Sequence, residues 1–307
     1  MTAKLLKDKV ILVTGAGRGV GREIALCAAR AGAKVVVNDL GASLTGEGQD
    51  ASPAQEVVDL IRAEGGEGVV NGDSVAEAEG AQRMVDAAIS NFGRIDGAIH
   101  SAGILRDVIF HRMTPEDFEA VLRVHLFGAF NVSHACAPHF RAQESGAFVH
   151  MTSTSGLIGS FGQANYAAAK MGIVGLSRAI SLDMAKFKVR SNCIAPHAFS
   201  RMIEAIPGKS PEEQAREMEK RRTKTRADQI APLAAFLCSD AAAGITGQIF
   251  GARGNEVYLY NQPRPIRTMH RDDGWTVESL AERLPNAWAS AFTPAERTKD
   301  VIGWDPI

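Results

Sequence analysis

The run Val10-Ile11-Leu12-Val13-Thr14 passes without a linker into Gly15-Ala16-Gly17-Arg18-Gly19-Val20-Gly21, and no other stretch restricts the fold as much. A short, wholly apolar run suits a strand buried on both faces. The glycines that follow allow a tight turn in which backbone, rather than side chain, meets whatever lies above it. An amphipathic segment then runs to Ala31, with Gly32 placed to close it as a C′ glycine. Strand, glycine turn and helix in that order make a phosphate cradle, because free N–H groups and the positive end of the helix dipole face the turn. Its candidate contacts are Gly15, Arg18, Gly19, Val20 and Gly21.

Strand-like and helix-like segments alternate from there on. Lys34 to Asn38 is a second strand ending at Asp39, where an acid can accept from ribose hydroxyls and would repel the extra phosphate of NADP. This favours NAD, against a weaker pull from Arg18, a base that could meet a 2′-phosphate. Ser52-Pro53-Ala54-Gln55 predicts an N-cap at Ser52 with a capping-box partner and a helix to about Glu64. Gly68 to Asn71 is a third strand. Asp73 and Ser74 follow as either an adenine contact or the cap of a helix over 75–92. Ile95 to His100 is a fourth strand, closed by the small residues Ser101, Ala102 and Gly103, which would let a cofactor ribose approach. Thr114 caps an apolar helix expected through Phe140, kinked at Pro138. Strands are also expected over 147–152, 188–194 and 247–251, and residues 197–211 suit a lid over the site.

This pattern predicts a Rossmann-like, doubly wound α/β fold: a seven-stranded parallel sheet in one domain over 8–252, a C-terminal extension over 253–307, and a ligand along the carboxyl edge.

The chemistry concentrates between Ser153 and Lys170. Tyr166 and Lys170 stand four apart in an Ala-rich segment, so a helix would stack them on one face. Ser153 closes the strand before it. A phenol is a poor base at neutral pH, but a neighbouring ammonium favours the phenolate. Ser153 could hold a carbinol oxygen against Tyr166 while a hydride leaves or arrives.

The 307 residues carry a formal net charge of −1, so nothing points to nucleic acid or to an anionic membrane surface. No window approaches a membrane span. Cys27, Cys136, Cys193 and Cys238 form no C-x-x-C pair, read as reduced core residues of a cytoplasmic protein, and leave no metal site. Neither a signal peptide at the start nor a sorting signal in the closing Trp-Asp-Pro-Ile is expected.

The ordered set Thr14-Gly15…Gly19-x-Gly21, Asp39, Ala102-Gly103, Ser153, Tyr166-x-x-x-Lys170 and Pro196 resembles the short-chain dehydrogenase/reductase family over about residues 8–252. The resemblance implies a hydride transfer with Tyr166 as acid/base, Lys170 lowering its pKa and binding the nicotinamide ribose, and Ser153 positioning substrate. It extends the cofactor contacts to Pro196, Ala198 and Ser200. Residues 35–41, 102–107, 123–126, 161–166 and 194–202 resemble the (3R)-hydroxyacyl-CoA dehydrogenase branch found in peroxisomal multifunctional enzymes, here with no hydratase following. That implies an acyl-CoA or steroid-CoA substrate, NAD, and a homo-oligomer, dimer or tetramer. Steroid alcohol oxidation and 3-oxoacyl thioester reduction are the enzymatic alternatives, and a dinucleotide-sensing scaffold the non-enzymatic one. Two departures stand out. His100-Ser101-Ala102-Gly103 replaces the usual Asn-Asn-Ala-Gly, removing an amide that ties strands together. The family's helical catalytic Asn falls at His125, which could hold a relay water or be a core histidine. Arg264, Arg267 and Arg271 in the extension are candidate partners for CoA phosphates, or solvated surface charges.

Overall fold

The computed structural model describes residues 4–198, 210, 212, 219 and 223–306. Its strands are β1 (Val10–Thr14), β2 (Lys34–Asn38), β3 (Glu67–Asn71), β4 (Gly97–His100), β5 (Gly146–Met151), β6 (Val189–His197), β7 (Ile249–Arg253) and β8 (Glu256–Leu259). They lie in one sheet, in the order β3-β2-β1-β4-β5-β6-β7-β8. The first seven pair in parallel. The helices are α1 (Gly19–Arg30), α2 (Ser52–Ala63), α3 (Ala78–Phe92), α4 (Pro115–Leu122), α5 (Gly128–Gln143), α6 (Thr154–Leu157), α7 (Ala164–Asp183), α8 (Ala231–Cys238), α9 (Val277–Trp288) and α10 (Thr298–Val301).

Alternation along β1 shows how the layers form. Ile11 and Val13 pack with Ile24 of α1, Val57 of α2 and Leu237 of α8, while Val10 and Leu12 pack with Met84 of α3 and Cys136 and Phe140 of α5. Helices thus cover both faces, which is why the central strands lack polar alternation. Strand order reverses at β1, whose neighbours are β2 and β4, and the crevice at that switch point opens above the carboxyl ends.

Three expectations need correction. An eighth strand exists, antiparallel to β7, with Arg253 opposite Glu256. Gly254 and Asn255 form the two-residue turn, and Gly254 takes the left-handed φ of 58° that such a turn requires. The helix expected from Thr114 through Phe140 is two helices joined by a π-helical turn over Arg123–Phe127. At this turn His100 Nε2 lies 3.1 Å from the His125 carbonyl oxygen, a contact from outside the helix at the place where the ladder changes; Pro138 lies inside α5. Ser52 is not an N-cap. The Asp50 carboxylate takes both its N–H, at 2.9 Å, and its hydroxyl, so Ala51 occupies the cap position.

Beyond β8 the chain travels out and returns. Thr298 donates its N–H to the Gly159 carbonyl at 3.0 Å, and Trp304 Nε1 donates to Glu256 at 2.8 Å. Among the described residues no helix is long and apolar enough to cross a membrane.

Candidate active site

The crevice above β1 and β4 is a cleft of about 480 Å³. On one side stand Gly15, Arg18, Gly19, Val20, Gly21, Asp39, Asp73 and Ser74, and on the other Ser101, Ala102, Gly103, His125, Ser153, Tyr166, Lys170, Pro196 and Ala198. Every described residue proposed from the sequence for catalysis or for holding the dinucleotide therefore borders one space. Ser200, with most of the expected lid, lies outside the described residues.

The glycine turn is built for backbone approach. A Cβ at Gly15, whose φ is 63°, would lie 2.7 Å from Ala102 Cα, so only glycine lets the β1 and β4 turns touch. A Cβ at Gly17 would lie 2.8 Å from Asp39 Oδ2. At Gly19, φ 56°, a Cβ would meet nothing within 4 Å, so that position opens to the cleft. Arg18 occupies the N-cap of α1 without a side-chain cap bond, leaving the first-turn N–H groups to face an anion. Asp39 anchors the turn: Oδ2 accepts from the Gly17 N–H at 2.7 Å and Oδ1 from the Gly41 N–H at 2.7 Å. A carboxylate has about four acceptor positions, so Asp39 retains capacity for ribose hydroxyls. These features fit a nicotinamide dinucleotide.

Thr14, which the sequence marks only as the start of the glycine motif, joins the two halves. Its Oγ1 accepts from the N–H groups of Ser101 and Ala102, each at 3.2 Å. With both lone pairs engaged, the hydroxyl proton points to His100 Nδ1 at 3.1 Å, which makes His100 Nε2 the protonated nitrogen that donates to the His125 carbonyl. His100 thus supplies the tie that the loss of an asparagine amide was expected to remove. Burial, and next the charge of Lys170, push its pKa down to about 3, so it stays neutral. Asn38, which the sequence marks only as a strand end, donates to Asn71 Oδ1 at 2.8 Å and to the Asp73 carbonyl at 2.9 Å, fixing the Asp73–Ser74 rim. That rim has its own local bonds: Asp73 pairs with Arg83, and Ser74 Oγ accepts from the Ala76 N–H.

Tyr166 is set by Asn165, which is fully buried. Its Nδ2 donates to the carbonyls of Arg106 and Asp117 at 2.9 and 3.1 Å, and its Oδ1 accepts the Tyr166 N–H at 2.7 Å. The start of α7 is thereby pinned to the loop after β4. One turn on, Lys170 Nζ lies 5.4 Å from the Tyr166 ring centroid and donates to the Met151 carbonyl at 2.7 Å. Ser153 accepts from the Ser155 N–H at 3.1 Å, and its hydroxyl acts on the phenol, favouring the phenolate. Ser155 in turn donates to Gln163 Oε1, and Gln163 to Asp107 Oδ2, both at 2.7 Å.

The electrostatics differ from the expected lowering of the phenol. Burial pushes Tyr166 up to about 12, with Ser153 pulling down and Asp107 pushing up, and burial pushes Lys170 down to about 7. The ammonium sits under the ring face rather than against the oxygen, so its pull on the phenol does not offset desolvation.

His125 packs edge-on to Tyr166 with centroids 5.1 Å apart. Its Nε2 lies 3.1 Å from the Ile104 N–H and 2.9 Å from the Ile104 carbonyl, one contact for each tautomer, while Nδ1 has no protein partner. Gly103 is required beneath it, since a Cβ there would lie 2.2 Å from His125 Cε1. The tail arginines are not brought to the cleft lining. Arg264 and Arg267 are exposed and donate to the carbonyls of their own preceding residues.

Residues 15–254 match the family model described as enoyl-(acyl carrier protein) reductase. A short-chain type dehydrogenase/reductase of Mycobacterium tuberculosis is 46% identical over 238 residues, 78% of this chain and 80% of that one. Peroxisomal multifunctional enzyme type 2 of Mus musculus is 42% identical over 233 residues, 76% of this chain but 30% of its own length. The structure of a 7α-hydroxysteroid dehydrogenase complexed with NADH and 7-oxo glycochenodeoxycholic acid superposes with a TM-score of 0.72 at 29% identity, covering 82% of this chain and 96% of that one.

Proposed function

The chain belongs to the short-chain dehydrogenase/reductase family, and from that premise we propose that it oxidises (3R)-hydroxyacyl-CoA to 3-oxoacyl-CoA with NAD+, in the β-oxidation of fatty acids or steroid side chains. The observation that carries the reading is the placement of Tyr166, underlain by Lys170 and sharing a cleft with Ser153, opposite a glycine turn held by Asp39. Greater identity to the multifunctional enzyme, 42%, than to the hydroxysteroid dehydrogenase, 29%, supports a hydroxyacyl thioester over a free steroid.

The nicotinamide supplies the hydride acceptor. First-turn N–H groups of α1 would hold its pyrophosphate, and Asp39 the adenosine ribose, where a carboxylate disfavours an added 2′-phosphate. Ser153 donates to the substrate oxygen at C3 and orients it. Tyr166 as phenolate takes the hydroxyl proton, and the Lys170 ammonium stabilises the charge beside it. A homo-oligomer is part of the proposal, supported by apolar side chains that a single copy leaves exposed, among them Val277, Ile266 and Phe292. Four free cysteines, three of them buried, support a reducing compartment such as the cytoplasm.

A spectrophotometric panel of 3-hydroxyacyl-CoA esters, both C3 epimers, with NAD+ and NADP+ tests this. The expected result is turnover of the 3R epimer with NAD+, abolished in Tyr166→Phe while dinucleotide binding persists. A second reading, reduction of 3-oxoacyl thioesters, is favoured by the acyl-carrier-protein description of the matching family; preferential turnover of 3-oxoacyl thioesters with NADPH would select it.

A further inference from the structure

Residues 39–51, between β2 and α2, form neither helix nor strand and are exposed from Ser43 to Asp50. Leu40, Ala42, Leu44 and Gly46 nevertheless border the cleft, on from Asp39. The base of this loop is closed by the Asp50 N–H, which donates to the Leu40 carbonyl at 3.0 Å. Its tip is fastened elsewhere. Leu105 donates its N–H to the Leu44 carbonyl at 3.0 Å, Arg106 Nε donates to the Thr45 carbonyl at 3.3 Å, and a Cβ at Gly46 would lie 3.2 Å from Ile104 Cδ1. Because β2 and β4 flank β1 in the sheet, these contacts join two loops across the carboxyl end of the strand that feeds the glycine turn.

Arg106 is tied in the other direction as well. Its carbonyl accepts from Asn165 Nδ2 at 2.9 Å, and its Nη1 lies 3.6 Å from Asp117 Oδ1. The Asp117 carbonyl takes the second Asn165 Nδ2 bond at 3.1 Å. Asn165 Oδ1 then holds the Tyr166 N–H at 2.7 Å. Tyr166 is the third residue of α7, so its N–H is a first-turn donor with no acceptor inside the helix. Asn165 is what engages it. Arg106 is thus bonded to the loop tip by its side chain and to the anchor of Tyr166 by its backbone.

We propose that Arg106 is a positioning residue that makes the placement of Tyr166 depend on the adenosine end of the dinucleotide. A ligand seated beside Asp39 lies against the exposed 39–51 loop and restricts it. A restricted tip restrains Leu105 and Arg106, and with them the carbonyl that Asn165 grips, so Tyr166 has less freedom left to lose when substrate arrives. Such a coupling is reciprocal in binding free energy. The proposal rests on the dehydrogenase reading for the importance of Tyr166, but the coupling itself needs no hydroxyacyl substrate.

ADP is the probe, because it offers the adenosine and pyrophosphate end and has no nicotinamide to touch Tyr166. The readout is hydrogen exchange of the Tyr166 amide, followed by TROSY spectra of deuterated, 15N-labelled protein. In the parent, saturating ADP is expected to slow this exchange at least about fivefold. In Arg106→Ala the slowing falls below about twofold, while the Kd for ADP, by calorimetry, stays within about threefold, since Leu105 and Gly46 still hold the tip. Arg106→Lys, which keeps a donor and a positive charge, restores most of the slowing, as a general loss of packing would not. In turnover assays Arg106→Ala lowers kcat about tenfold with KM for the dinucleotide little changed. If ADP leaves the Tyr166 amide unaffected in the parent, or the slowing survives in Arg106→Ala, the proposal is overturned. Failure of the hydroxyacyl-CoA reading shows differently, as absence of turnover in a parent protein whose Tyr166 amide still responds to ADP.

Discussion

Asp39→Asn separates two jobs that one carboxylate performs. In the native protein the two oxygens receive one backbone N–H each, from Gly17 and Gly41, both at 2.7 Å. The amide offers a single acceptor oxygen and sets an NH2 group against the other donor, so one of the two N–H groups loses its partner. Loss of a hydrogen bond to a charged group costs about 1.5–3 kcal/mol. The Gly17 nitrogen already lies 2.7 Å from Oδ2, so an NH2 set there pushes Gly17 away, and the displacement passes to the turn that faces the dinucleotide. If the whole cost falls on the bound form, NAD affinity drops about 10- to 150-fold, at tenfold per 1.4 kcal/mol. NADP affinity falls less, because the same substitution removes a negative charge from the ribose side. The Kd values for NADH and NADPH, read by fluorescence enhancement of the reduced cofactors, give both numbers. An Asp39→Asn protein whose NADH affinity stays within twofold, or whose NADH/NADPH ratio does not fall, refutes this account of the turn.

Lys170 makes a prediction about stability alone. Its folded pKa is lowered from 10.5 to about 7, so between those values the unfolded chain holds a proton that the folded one releases; stability from this group is full above 10.5 and is lost as pH falls through 7. The Tm of the protein should therefore rise from pH 7 to 9.5, and Lys170→Met should flatten that rise; thermal melts in matched ionic strength check it. Gly159→Ala should detach the tail, because the new Cβ would lie 2.7 Å from the Glu296 carbonyl oxygen; faster limited proteolysis after residue 290, with a stability loss of about 1–3 kcal/mol from overpacking, is expected. Gly103→Ala, whose Cβ would strike His125 Cε1, should lower kcat more than tenfold while leaving dinucleotide affinity within threefold, measured by initial rates and fluorescence titration.

What could be read from sequence was what is local. The glycine turn, Asp39 at the end of β2 and the four-residue step from Tyr166 to Lys170 each lie within one strand-turn-helix unit, where spacing alone decides which groups share a face. Partnerships across the sheet escaped, because register is a long-range property. Nothing near His100 announces Thr14, 86 residues away, nor that its other nitrogen would reach the His125 carbonyl in the π turn. The β8 hairpin is a different case. Its signal, Gly254-Asn255 between two alternating runs, is a recognised hairpin mark, but it falls beyond the strand expected over 247–251, in the stretch assigned to the extension. The contact of Thr298 with Gly159 spans 139 residues and leaves no trace in composition.

The two catalytic pKa shifts have one cause and a joint consequence. Protein around Tyr166 and Lys170 disfavours the charged form of each, so phenol and amine both lean to neutrality when considered singly. Phenolate and ammonium together are a different matter, since each supplies the opposite charge that the other lacks, in surroundings where attraction is poorly screened. Protons then leave the pair in macroscopic steps that belong to neither residue. A site of this kind needs an amine whose surroundings carry no charge of their own, and the chain provides them: the Met151 carbonyl accepts from Nζ, and the three histidines that feel its charge are held neutral by burial. An additional carboxylate beside Lys170 would secure the ammonium more firmly but would push Tyr166 further up, as Asp107 already does in part. Neutral imidazoles avoid that conflict, which gives a physical reason for histidines, rather than acids, to crowd the back of the cleft.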